Sequence, residues 1–153
     1  MADDPRRRIP GYLTALGAYG AGTLATALTA KARGVQAPDR YSAADLALGA
    51  VAVHKFARLI SKDAVTTPIR APFTEFEEAA GSGEVNERPV DGHLQHTIGE
   101  LLTCPFCLTP WLATGYVAGL SIAPRAARSW AAVFSVVAGS DTLQHVYARL
   151  RTD

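Results

Sequence analysis

GYLTALGAYGAGTLATALTA, Gly11 to Ala30, carries no charged side chain. Crossing the hydrocarbon core of a bilayer takes about 20 mostly apolar residues in a helix, and this stretch has that length. Its Ala, Gly and Thr content makes its hydrophobicity modest. Ala-rich helices with few charges also occur inside soluble all-α bundles, but such a helix shows a charged outer face, and this one has none on any side. A signal peptide is the other competitor. Arg6, Arg7 and Arg8 would be its basic region, and Ala30-Lys31-Ala32 would lie near its cleavage site. The apolar stretch is long for that role, and no secreted domain with a charged surface follows. The stretch therefore reads as a retained membrane helix.

The rest of the chain repeats the alternation. CPFCLTPWLATGYVAGLSIA, Cys104 to Ala123, is a second uncharged block of spanning length. Ala126 to about Ala148 is long enough but carries Asp141 and His145. Ala43 to Ile60 is the weakest, with an apolar centre at Leu46 to Val53 interrupted by His54, Lys55 and Arg58. Ser42 before Ala43, with Asp45 three residues on, is a capping-box-like start. Pro124 ends the third helix. Trp111 and Trp130 lie near the expected membrane boundaries, where tryptophans often anchor. The expected fold is an all-α, small integral membrane bundle forming a single membrane domain over 1–153. Its four transmembrane or membrane-embedded helices cover about 11–30, 43–60, 104–123 and 126–148, with a long polar loop, about 61–100, between the second and third.

That loop holds more than half of the acidic residues. TTPIRAPF, within Val65 to Phe73, has prolines that keep the chain extended or turning. Phe73 and Phe76 would lie along the membrane surface, with Arg70 near lipid headgroups. Glu75, Glu77 and Glu78 would mark a short acidic helix, and Gly81-Ser82-Gly83 a flexible break. A solvated linker is the plainer reading.

Whole-chain composition narrows the partners. At 48% hydrophobic and 19% charged residues the chain is not disordered. A net charge of +1 provides no general polyanion-binding surface, so nucleic acid is not an expected partner. The lipid bilayer is, together with a homo-oligomer or another membrane protein. With the amino terminus inside, Arg6, Arg7, Arg8, Arg58, Lys62, Arg70, Arg88, Arg149 and Arg151 fall on the inner side, and fewer basic residues fall outside. Both termini, the loop and the Cys104–Cys107 motif are thus expected on the cytoplasmic side.

Cys104 and Cys107 form C-P-F-C at the start of a helix. A helix amino terminus stabilises a thiolate, which favours dithiol redox chemistry or metal binding. His93 and His96 precede the pair in H-x2-H-x7-C-x2-C, which could close a tetrahedral zinc set of two thiolates and two imidazoles. Both cysteines as apolar fillers, with both histidines solvated, is the alternative. Within the helices, His54 and Arg58 share one face, as do Asp141 and His145. Because unpaired charges in a bilayer are costly, Arg58 is expected to contact Asp141 inside the bundle, with His54 and His145 as neighbours.

HKFARLISKDAVTTPIRAPFTEFEE (His54 to Glu78), GELLTCPFCLTPW (Gly99 to Trp111) and APRAARSWAAVFSVVAGSDTLQHVYARL (Ala123 to Leu150) together resemble the bacterial domain-of-unknown-function 1360 family. The likeness covers roughly Asp45 to Leu150. Its most specific pieces are RLISKD, TxPxRAPFT, LLxCPFC…W and AGSDxLQ. The resemblance implies a small membrane-associated bacterial protein, which fits a place in the bacterial cytoplasmic membrane, and it brings no reaction, cofactor or partner. Three function classes stay open: a structural or interaction protein of the inner membrane, a thiol-redox or zinc-binding protein acting through CPFC, and a small transport subunit. Nothing in the residues demands catalysis.

Overall fold

The computed structural model describes residues 8–151. The chain runs α1 (Ile9–Ala32), α2 (Ala43–Lys62), a 3-10 turn (Ala64–Thr66), α3 (Thr67–Arg70), β1 (Thr74–Gly81), β2 (Glu84–Pro89), α4 (His93–Thr103), α5 (Pro105–Ile122) and α6 (Pro124–Leu150). Each long helix falls close to an uncharged or weakly charged block of the sequence. The Ser42 hydroxyl accepts a hydrogen bond from the Asp45 N–H at 3.0 Å and starts α2 as the capping pattern requires. Pro105 and Pro124 sit in the first turns of α5 and α6, where a missing N–H costs no helical bond.

The core lies where α2, α5 and α6 meet. Ala52, Val53, Tyr116, Leu120 and Ala131 are buried together there. Ala52 and Ala131 are small enough to let α2 and α6 approach closely. Phe56, Trp130 and Phe134 fill the adjoining space, with ring centroids 4.7–5.4 Å apart. Tyr116 crosses to α2, where its hydroxyl donates to the Asp45 carbonyl at 2.8 Å. Only a glycine fits beneath that ring: a Cβ on Gly49 would stand 2.2 Å from Tyr116 Cε1. Arg128 of α6 grips the Asp45 carboxylate with two nitrogens, at 2.8 and 2.9 Å.

The expected four-span membrane bundle is not what forms. Among the described residues, no single helix is long and apolar enough to cross a membrane. The Ala, Gly and Thr residues that leave α1 uncharged also keep its hydropathy low, and α2 and α6 carry several charges each. Only α4 and α5 taken together meet the length and composition required, and they are bent by 81° at Cys104. The chain is mostly helical, with a small antiparallel sheet.

The polar loop is also corrected: it folds. β1 and β2 form an antiparallel hairpin around Gly81-Ser82-Gly83, all three with positive φ. Glu75, Glu77 and Glu78 stand on β1 and not on an acidic helix. α4 follows, packed close enough that a Cβ on Gly99 would lie 2.4 Å from the Phe73 carbonyl oxygen.

Arg70 is not at a lipid surface but fully buried. Its guanidinium donates to both Glu87 carboxylate oxygens, at 2.8 and 3.0 Å, and to the carbonyls of Ile60 and Asp63 at 2.6 and 3.2 Å. It also donates to Thr66 Oγ1 at 2.6 Å. Thr67 and Thr74 hydroxyls complete the carboxylate's shell at 3.1 and 2.8 Å. This network joins the end of α2 to the hairpin.

Candidate functional site

α4 ends and α5 begins on the same residue. Cys104 holds extended backbone, φ −107° and ψ 105°, between the two helices. Pro105 fixes the first turn of α5 and disfavours helical backbone at Cys104, so the chain must turn there. As the N-cap of α5, Cys104 accepts the Cys107 N–H on its Sγ at 3.2 Å. The Cys107 Sγ donates to the same sulfur at 2.6 Å. Both cysteines are free.

The pair is asymmetric. Although Cys107 keeps an exposed edge, burial of its sulfur pushes the thiol up, and its hydrogen bond to Cys104 and the charges of Cys104 and Glu100 add to this. The result is a value of about 12, so Cys107 carries the proton. Cys104 is the sulfur that receives two hydrogen bonds at a helix amino terminus. Phe106, between the cysteines, is 86% exposed and leaves the motif open to a partner. Glu100, one turn before the end of α4, forms an ion pair with Arg8.

The zinc set is not assembled. His93 is exposed at the first turn of α4, while the His96 ring binds the Val90 carbonyl through Nδ1 at 3.0 Å. Among the described residues no group of three or more His, Cys, Asp or Glu side chains could hold a metal.

The expected polar cluster is divided. Arg58 turns to the hairpin and holds Glu84 at 2.6 and 2.7 Å instead of reaching Asp141. Asp141 is taken by Lys55 at 2.8 Å, with Asp63 at 3.5 Å on the same ammonium. Burial opposes the charge on Lys55, but the two carboxylates outweigh it and raise its pKa. His54 and His145 are exposed. The partner of Asp141 lies one turn before Arg58 on α2; an (i, i+4) pattern does not tell Lys55 from Arg58 when the partner helix's rotation is unknown.

Beside the motif, α2 and α5 leave an apolar groove of about 500 Å³. Pro105 and Phe106 line its end, next to His54 and Arg58. The sequence signal for it was the run of small residues Gly49, Ala50, Val53 and Ala57 on α2.

No curated protein and no solved structure matches the chain. One family does match, that described as "Protein of unknown function (DUF1360)", over residues 48–147. The match spans α2 from Leu48 onward, the hairpin, CPFC and α6 as far as Tyr147, and leaves α1 outside it. By that extent of match, the chain belongs to the DUF1360 family of proteins of unknown function.

Proposed function

We propose that the protein is a dithiol–disulfide exchange module acting through Cys104 and Cys107. The observation that carries this reading is the 2.6 Å approach of the two sulfurs at the start of α5. A disulfide requires about 2.05 Å between sulfurs, so a small side-chain rotation closes the pair. The partner is a protein or small-molecule disulfide. Cys104 attacks one sulfur of that disulfide as the thiolate, a mixed disulfide forms, and the partner's other sulfur leaves as a thiolate. The Cys107 thiol then gives its proton to solvent and attacks Cys104. The internal disulfide forms and the second partner thiolate is released. The partner gains two electrons and this chain loses two. Once Cys104 is in the mixed disulfide its charge is gone, which removes one of the influences that keep Cys107 protonated.

Exposure to oxidised glutathione, followed by alkylation and mass measurement, tests this. The expected product has both cysteines protected by one internal disulfide. Cys107→Ser should stop at a mixed disulfide on Cys104, and Cys104→Ser should react at least about tenfold more slowly. Two thiols that remain fully alkylatable after oxidant treatment would overturn the reading.

A second observation supports a location. Ile9, Leu13, Leu16, Leu24 and Leu28 are exposed and recur at helical spacing along one side of α1. The opposite side carries Tyr19, bonded to Thr114 of α5 at 2.7 Å, and Gly11, against Thr97 of α4. We propose that this outward leucine face attaches the protein to the bacterial cytoplasmic membrane. The chain would act there with a lipid surface and a thiol partner.

A further inference from the structure

The groove between α2 and α5 is not needed for thiol exchange, yet it has the makings of a ligand site. Tyr116 over Gly49 closes one end. From there the walls are aliphatic and small, with Ala50, Val53 and Ala113 among them. The lined stretch of α2, Leu46 to Arg58, extends about 18 Å at 1.5 Å per residue. A volume of about 500 Å³ lies within the range of small-molecule sites.

Polarity is concentrated at the other end. His54 and Arg58 line it, and no carboxylate side chain does. The His54 side chain has no hydrogen bond or ion pair among the described residues. Arg58 reaches Glu84 through Nη2 alone, and among the described residues its Nε and Nη1 donors have no hydrogen-bond partner. A long apolar trough ending in two basic donors is complementary to a chain with an anionic oxygen head. A cationic head would meet the Arg58 guanidinium there and gain no carboxylate from the lining.

We propose that this groove binds a single-chain amphiphile of the long-chain fatty carboxylate class. The alkyl chain lies against Ala50, Val53 and Ala113, where its burial drives binding. The carboxylate rests on His54 and Arg58, with a charge-assisted hydrogen bond from the guanidinium fixing its orientation.

Calorimetric titration of the full chain with dodecanoate, kept below its micellar concentration, tests the site. One dodecanoate per chain is expected, with dodecyltrimethylammonium at least about tenfold weaker. Ala50→Phe fills the groove from an exposed position of α2 and should abolish binding with the melting temperature retained. His54→Ala should weaken dodecanoate about tenfold and leave the cation unaffected. Cys104→Ser should bind as the unaltered chain does, which separates this site from the thiol chemistry. Absence of dodecanoate binding would overturn the proposal. Equal affinity for both amphiphiles, or undiminished binding to Ala50→Phe, would overturn it too, by assigning the uptake to other apolar surface.

Discussion

At Gly49, one missing methyl group decides how closely two helices can meet. The Tyr116 ring above it is buried, and its hydroxyl is tied to the Asp45 carbonyl, so it has no room to retreat. Gly49→Ala should therefore destabilise the fold by about 1–3 kcal/mol, the usual cost of overpacking. On α1, Gly17 has nothing within 4 Å of an added Cβ. Gly17→Ala should stabilise by up to about 1 kcal/mol through helix propensity alone. Denaturant midpoints of the two variants measure both effects. A Gly49→Ala protein as stable as the parent would show that the ring can move. The difference between these glycines is not written in the sequence, where both stand among alanines. The Ser42–Asp45 cap and the CPFC turn were legible because each is made by residues within one turn of each other. Asp141's partner was not, because it depends on how two distant helices are rotated.

The hairpin shows the same limit for a whole element. Its turn was visible as Gly81-Ser82-Gly83, but its strands were not. An amphipathic strand shows itself by alternation, and β1 is exposed along nearly all its length, with Thr74 its one buried residue. What anchors the hairpin is the buried Arg70–Glu87 network, which no periodicity encodes. Burial pushes the Glu87 carboxyl up, but hydrogen bonds from Arg70, Thr74 and Thr67 outweigh it and hold the group below its ordinary 4.5. A carboxylate lowered by folding stabilises the protein fully above its unfolded value. That stabilisation is lost as pH falls through the folded value. Denaturant midpoints taken from about pH 6 down to about pH 3 should fall more steeply for the parent than for Glu87→Gln. At neutral pH, Glu87→Gln should be less stable by about 3–5 kcal/mol, since it leaves the Arg70 charge buried and unpaired. Parallel pH profiles for the two proteins would mean that Glu87 does not titrate with folding.

For the whole molecule, the uncharged blocks located the long helices but did not say what covers them. Lack of charge is common to a lipid-facing helix and a helix packed in a core. α5 shows the second case, with Leu108, Tyr116 and Leu120 buried. α1 shows neither fully: one side rests on α4 and α5, and its leucines face away from them. Its 24 residues extend about 36 Å, long enough to lie across a large area of membrane surface. The proposed membrane attachment rests on one helix face, and changing that face should release the protein while the α2–α5–α6 core stays folded. The full chain should float with phospholipid vesicles on a density gradient. Leu16→Glu combined with Leu24→Glu places two charges on the outward side and should leave most of the protein at the bottom. Neither leucine belongs to the buried core, so the variant should melt close to the parent temperature. A parent chain that stays at the bottom, or a variant that floats equally well, would refute attachment through this face.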